Sequence, residues 1–505
     1  MQAEMDGKYQ VIESYTVETD NLKVETNIIH DPKEFVNMYY LNFPSYGAGT
    51  SALLTNLKKS LVAETAARTG QLDMDAVEKI RGKFVEKAQK MLDSELPTAT
   101  EETKKALVGI LMHEMLGLGR IEFLLSDGNL EEIVINRSQE PVWVYHKKYG
   151  WLKTNVRIET EADIENYANI IARRVGKQIT ILSPLLDAHL ITGDRANATL
   201  FPISSKGNTV TIRRFRRDPW TVTDFIKTKT VSAELMALIW EAMEYELNII
   251  ISGGTASGKT SFLNVCMPFI QPNHRVLSIE DTRELMLPDY LHWVPLTTRE
   301  PNPEGKGGIT MLDLLVNSLR MRPDRVIVGE VRRQREAEVM FEAMHTGHSV
   351  YTTIHANTAD ETITRLVNPP VSIPVSMLDS VHLNIVMFRN RRLGSRRVLE
   401  AAEFIPEKRG KELEIKPNII YRWRSSDDQI VAHNESIRFY DELSLHTGMS
   451  QGEIQQELKT KTKILNWMIK FDIHNVNEVG KIMAQCYQDI DEIKNLVEKN
   501  KKPEL

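Results

Sequence analysis

The sequence predicts an α/β fold with a mostly parallel sheet, and two observations carry that expectation. Short apolar runs recur through the second half of the chain, at Leu247-Asn248-Ile249-Ile250-Ile251, Val276-Leu277-Ser278-Ile279, Arg325-Val326-Ile327-Val328 and Val350-Tyr351-Thr352-Thr353-Ile354. Helical segments separate them, which is the alternation that builds βαβ units. The first run also leads directly into Gly253-Gly254-Thr255-Ala256-Ser257-Gly258-Lys259-Thr260, a G-x-x-x-x-G-K-T loop, after which Ser261-Phe262-Leu263-Asn264-Val265 can start a helix. Strand, spacing, Lys and Thr coincide, so residues 253–261 are expected to bind a nucleoside triphosphate. In that geometry backbone N–H groups face one concavity and the helix N-terminus adds positive potential. Lys259 then reaches the β- and γ-phosphates, and the Thr260 hydroxyl ligates Mg²⁺.

A chain of 505 residues exceeds the size at which one hydrophobic core stops growing, so two or more domains are expected. Residues 1–70 are weakly patterned, with a short strand signal at Val24-Glu25-Thr26-Asn27-Ile28-Ile29, and no role is assigned to them. From 71 to 215 a helical lobe leads into a small α/β domain. Val77, Ile80, Phe84, Ala88 and Met91 recur at helical spacing, Thr100 to Met115 continues the pattern, and strand signals follow at Glu132-Ile133-Val134-Ile135 and Val142-Trp143-Val144-Tyr145-His146. The charged, proline-bearing Arg216-Arg217-Asp218-Pro219-Trp220 opens a hinge over 216–230. The loop-bearing domain spans 231–405. A hairpin and helical subdomain fills 406–505, with openings like capping boxes at Ser450-Gln451-Gly452-Glu453 and Asn475-Val476-Asn477-Glu478.

Composition narrows the function classes. Charged residues are 26%, hydrophobic residues 42% and the net charge is −6, which is ordinary for a globular α/β protein and offers no basic field for nucleic acid. Cys266 and Cys486 stand alone without a C-x-x-C pair, so neither a thiolate zinc site nor a disulfide framework is expected, and a reducing cytoplasm is the natural compartment. The N-terminus lacks the pattern of a signal peptide, and no apolar run approaches about 18 residues. Any action at a membrane is therefore expected from its side.

Hydrolysis of a γ-phosphate needs Mg²⁺, an oriented water and positive charge on the transferring group. In open parallel sheets the carboxyl ends of strands line the ligand crevice, so the polar residues that close each run are the candidates. Glu330 follows Val326-Ile327-Val328, where Walker B motifs place their acid, and is expected to polarise the attacking water. Gly329 stands where many such enzymes carry the Mg²⁺-holding Asp, so Glu280 or Asp281 on the neighbouring strand is expected to supply that acid, directly or through water. His355 is placed to sense the γ-phosphate. Arg195, Arg213, Arg214, Arg299, Arg320 and Arg322 lie near strand or loop ends, where some can serve as arginine fingers supplied in trans, and together they favour an oligomer. The basic run Arg389-Asn390-Arg391-Arg392-Leu393-Gly394-Ser395-Arg396-Arg397 reads as a solvated hairpin turning at Leu393-Gly394, with contact to anionic lipid as the alternative.

Taken together, GGTASGKT, the acidic box Ile279-Glu280-Asp281-Thr282, the phrase Arg322-Pro323-Asp324-Arg325-Val326-Ile327-Val328-Gly329-Glu330-Val331-Arg332 and the box ending Ile354-His355-Ala356-Asn357 resemble the type II/type IV secretion ATPase superfamily. The likeness is greatest to its archaeal branch, which powers archaella and type IV-like pili, through Val144 to Gly150, Thr211 to Phe215 and Thr297 to Glu300. It runs from about residue 100 to 400. The resemblance implies a RecA-like P-loop ATPase domain with a helical C-terminal extension, a homo-hexameric ring, and ATP and Mg²⁺ as ligands. Nucleotide would lie between each chain's N-terminal α/β and RecA-like domains, with Arg195, Arg213, Arg299 and Arg320 as phosphate contacts or fingers. Closure about Arg216 to Trp220 would drive a polytopic membrane platform protein from the cytoplasmic face, and no stable nucleic-acid partner is expected. Bacterial type II motors carry a four-Cys zinc module that this chain lacks, and residues 1–70 match nothing in the family pattern. A nucleic-acid translocase on the same core and a nucleotide-gated scaffold are the competing readings.

Overall fold

The computed structural model describes residues 9–19, 22–43, 50, 53–54, 56–57, 74–190, 193–214, 219–301, 305–390, 392–409 and 412–503. The chain divides into two compact units, Met1–Arg217 and Asp218–Leu505. Of the expected hinge, residues 216–218 lie outside the described set. Further along it, Val222–Lys227 is a helix whose Val222, Thr223 and Phe225 are buried, and Val222 and Phe225 join the core of the second unit, so that part of 216–230 is not a linker.

The first unit is built on a nine-stranded sheet. Its strands are β1 (Gln10–Thr19), β2 (Leu22–His30), β3 (Met38–Asn42), β4 (Leu130–Ile135), β5 (Pro141–His146), β6 (Gly150–Arg157), β7 (Leu185–His189), β8 (Arg195–Thr199) and β9 (Thr209–Arg213). They are ordered β1-β2-β3-β6-β5-β4-β9-β8-β7, antiparallel except for the parallel pair β3 and β6. The N-terminal segment is thus part of this sheet. It is tied in by the hydroxyls of Tyr15 and Tyr39, each donating to Asp127 Oδ2 at 2.7 Å. The expected helical lobe is the pair Met74–Glu95 and Glu101–Leu116. Thr100 caps the second helix through Thr103 N–H, and Phe84, Ala88, Leu92, Leu107 and Leu111 pack between the two. Val77 and Ile80, also expected on that face, have side chains outside the description.

The second unit carries another nine-stranded sheet, ordered β12-β11-β13-β14-β10-β15-β16-β17-β18. Here β10 is Ile249–Gly253, β11 Arg275–Glu280, β12 His292–Thr297, β13 Arg325–Val328, β14 Ser349–Ile354, β15 Leu383–Asn390, β16 Ser395–Arg409, β17 Glu412–Arg424 and β18 Gln429–Ala432. Strands β12 to β15 run parallel and β15 to β18 antiparallel. The expected parallel sheet therefore continues as a meander. β16 runs straight through the division expected at 405/406, so no separate subdomain begins there. β10 is fully buried between β14 and β15, which is why its sequence is a continuous apolar run rather than an alternating one.

The two helix starts that the sequence signals in the tail are capped, and a further helix, Ile490–Glu498, capped by Asp489, follows them. Ser450 and Glu453 form a reciprocal capping box on Gln451–Lys470, and Asn475 caps Val476–Gln488. The first packs on Ala233–Glu244, the helix that precedes β10. Inside that contact Lys461, 1% exposed, meets Glu241, also fully buried, and Glu244 Oε2 at 2.5 Å. Its ammonium lies 5.1 Å from the centroid of the Trp240 ring. Burial pushes the Glu241 carboxyl up to about 7, while the surrounding carboxylates hold Lys461 charged against its own burial. Removing one partner of such a pair strands the other, so Lys461→Met is expected to cost about 3–5 kcal/mol. The double replacement Lys461→Met with Glu241→Leu should recover most of that. Urea denaturation followed by tryptophan fluorescence checks both.

Candidate nucleotide-binding site

The loop after β10 owes its shape to glycines at positions where a side chain has no room or no allowed backbone. Gly253 has φ 152° and Gly258 φ 95°. A Cβ at Gly253 would stand 2.6 Å from Met387 O, and one at Gly254 2.9 Å from Asn357 Oδ1, so neither position accepts even alanine without displacing its neighbour. Gly258 is the N-cap of the helix Lys259–Cys266, whose first closing bond runs from Phe262 N–H to Gly258 O at 2.8 Å. The N–H groups that precede it are the donors a helix leaves for an anion. Beneath the loop, Ser252 Oγ accepts from Thr362 Oγ1 at 2.8 Å and from Asn384 Nδ2 at 2.6 Å. This buried network pins the end of β10 to β15 and to the helix Ala359–Val367.

Lys259 is buried, and its ammonium donates to the carbonyls of Gly253 at 3.0 Å and Gly254 at 3.2 Å. Burial holds its pKa below the usual lysine value, with Glu330 opposing that shift. Ser257 Oγ is buried without a hydrogen-bond partner. A buried cation held by neutral groups, two carbonyls of its own loop and a histidine nitrogen, beside an unsatisfied hydroxyl and open helix N–H groups, fits a polyphosphate.

The strand ends converge as the sequence suggests. His355 Nε2 lies 3.0 Å from Glu330 Oε1 and His355 Nδ1 lies 3.5 Å from Lys259 Nζ. A carboxylate only accepts and an ammonium only donates, so the consistent tautomer carries its proton on Nε2. Burial, then the Lys259 charge, hold the His355 pKa below its ordinary value, which keeps the ring neutral at neutral pH. Glu330 Oε2 receives Arg332 Nη2 at 2.6 Å and Nε at 3.0 Å, and Arg332 Nη1 reaches Asp281 Oδ2 at 3.0 Å. One polar chain thus links Lys259, His355, Glu330, Arg332 and Asp281, joining the loop to the ends of β14, β13 and β11.

Glu280 is 2% exposed. Its Oε1 accepts the N–H groups of Glu284 and Leu285 at 2.9 and 3.2 Å, its Oε2 is buried without a partner, and burial raises its pKa to about 7. Gly329 N–H donates to Ile279 O at 2.8 Å, and a Cβ at Gly329 would lie 3.4 Å from Glu280 Cγ, so an acid there would face Glu280 directly. The orphaned Glu280 Oε2 is an oxygen donor of the kind a hard dication takes, and a bound dication would return Glu280 to its ionised form. Thr260 is half-buried in the first turn of the loop helix, whereas Thr255, Ala256 and Ser261 are exposed at its rim.

Arg195 and Arg213 lie in the first unit, paired across β8 and β9, with Arg195 Nη2 2.8 Å from Asp187 Oδ2. Arg299 Nε donates to Gly307 O at 2.6 Å. Arg320 is exposed beyond the helix Met311–Ser318. Arg214 donates to the Asp127 carbonyl. The basic hairpin supplies Arg396, whose Nε donates to Ala256 O at 3.2 Å and whose Cδ would meet a Cβ on Gly258 at 3.2 Å. Arg397 pairs with Asp428 at 2.7 and 2.9 Å. These two side chains are engaged within the chain, while the turn at Leu393-Gly394 is exposed, as the solvated hairpin reading expects. Sequence reasoning passed over Arg332 and Arg396 as members of the site. Arg332 had a readable signal, since it stands two residues after Glu330 and so returns to the same side of an extended segment.

Fold and loop together define an α/β protein with a glycine-rich loop at the end of a buried parallel strand. The family described as type II/IV secretion system protein matches residues 194–393. An uncharacterized protein of Methanocaldococcus jannaschii, MJ0900, is 34% identical over 412 residues, covering 80% of this chain and 74% of that one. The probable conjugal transfer protein TrbB of Sinorhizobium fredii is 31% identical over 247 residues, covering 48% of this chain and 72% of that one. The solved structure of the Legionella pneumophila ATPase DotB aligns with a TM-score of 0.41 at 20% identity, covering 74% of this chain and 95% of that one. The chain belongs to the type II/type IV secretion ATPase superfamily.

Proposed function

We propose that this chain is an Mg²⁺-dependent ATPase that works as a homo-hexameric motor, of the archaeal branch that assembles type IV-like pili, archaella or secretion filaments. The observation that carries the reading is the convergence of Lys259, His355 and Glu330 at the loop, with Glu280 Oε2 left for a cation. Thr260 and Glu280 would hold Mg²⁺, which when bound neutralises charge on the β- and γ-oxygens. The loop N–H groups and Lys259 bind and orient the triphosphate. Glu330 takes a proton from the attacking water as its oxygen bonds to the γ-phosphorus, the bond to the β-γ bridging oxygen breaks, and ADP leaves. His355 holds the carboxylate through Nε2–H and meets Lys259 through Nδ1. Arg195, Arg213, Arg299 and Arg320 are assigned as phosphate contacts or arginine fingers.

Among the described residues no helix is long and apolar enough to cross a membrane, and the proposed partner is a polytopic membrane platform protein met from the cytoplasmic side. Light scattering with ATP and Mg²⁺ is expected to give a mass near six chains, and liposomes bearing the platform protein are expected to raise turnover. A monomer whose turnover ignores the platform would overturn the motor reading. The name of the Sinorhizobium relative favours a second reading, a conjugation-type machine acting on DNA. That reading requires DNA to stimulate turnover in a salt-dependent way, and the net charge of −6 weighs against it.

A further inference from the structure

Glu330 is held from two sides. Arg332 places two donors on Oε2, and His355 Nε2 lies 3.0 Å from Oε1. A carboxylate offers about four lone-pair sites, two on each oxygen, so Oε2 is saturated and the remaining site lies on Oε1, beside the histidine that touches Lys259. The third arm of Arg332 is fixed by Asp281. Arg332 thus takes its own orientation from the end of β11 and passes it to the acid after β13. Lysine, a single point charge, has no fork with which to hold both partners.

We propose that Arg332 is a positioning residue: anchored on Asp281, it saturates Glu330 Oε2 and thereby leaves Oε1 as the atom that accepts the proton of the attacking water. This rests on the ATPase reading above. A stabilising role is too small to explain the arrangement. The Arg332 side chain is 60% exposed, and ion pairs at such sites contribute about 0–1 kcal/mol, so its loss should leave the unit folded. The expected consequence is kinetic, since a misplacement of about 1 Å in a reacting group can cost about 10²-fold.

The test compares wild type, Arg332→Gln, Arg332→Lys, Asp281→Asn, Glu330→Gln and the double variant Arg332→Gln with Glu330→Gln. Phosphate release and binding of a fluorescent ATP analogue are measured on the full chain. Arg332→Gln should lower kcat by about 10- to 100-fold, with KM and analogue affinity within about twofold. Arg332→Lys should recover part of kcat, Asp281→Asn should lose less than Arg332→Gln, and the double variant should be no slower than Glu330→Gln alone. Wild-type kcat in Arg332→Gln would overturn the proposal, as would a loss that adds in full to that of Glu330→Gln, or loss of analogue binding. If wild type itself releases no phosphate, or Glu330→Gln keeps full activity, the ATPase reading or the base assignment has failed, and the positioning role falls with it.

Discussion

Lys259→Ala is expected to abolish nucleotide binding at working concentrations, weakening affinity by about 10²- to 10³-fold, the scale of about 3–4 kcal/mol for truncating one partner of a buried charge pair. The size of the effect follows from where the ammonium sits. It is buried, its pKa is held down by burial, and its present partners are two loop carbonyls at 3.0 and 3.2 Å and His355 Nδ1 at 3.5 Å. Neutral carbonyls compensate a buried cation poorly, so exchanging them for anionic oxygens gains much more than the same exchange in water. Titration of a fluorescent ATP analogue checks this directly. Unchanged affinity would mean that the triphosphate is held elsewhere.

Glu330→Gln is expected to do the opposite, leaving binding intact while lowering turnover by about 10²- to 10⁴-fold, the usual contribution of a general base. Glutamine keeps the volume and can still accept from His355 Nε2–H or Arg332, but it cannot take a proton from water. Single-turnover phosphate release separates the steps, because bound nucleotide should persist as ATP. Loss of binding in this variant would instead assign Glu330 to holding the loop through His355.

Much of this site was legible in the sequence because its chemistry stands at strand ends. Glu280, Glu330 and His355 each follow a run of buried apolar residues, and parallel strands bring such ends to one edge of the sheet. Contacts between residues far apart in sequence were not legible. Arg332 reaches Asp281 across 51 positions and Arg396 reaches Ala256 across 140, and no local pattern reports either. Lys461 is a different case. It falls on the helical stripe Ile454, Leu458, Leu465 and Met468, at the spacing that faces a core, and a charge on such a stripe signals a buried partner. Of the first three strands only β2 was signalled, by Val24 to Ile29; β1 and β3 escaped assignment because they complete a sheet whose other members begin about 90 residues later, at Leu130, and long-range pairing leaves little trace in local composition.

The most direct test is phosphate release by the unmodified chain at saturating ATP, with Mg²⁺ and with the ion chelated. Turnover with the ion and none without it is the result expected if Lys259, Thr260, Glu280 and Glu330 form one hydrolytic centre. ATP bound tightly in the presence of Mg²⁺ with no phosphate released would contradict that claim and make the site a nucleotide-gated binding element.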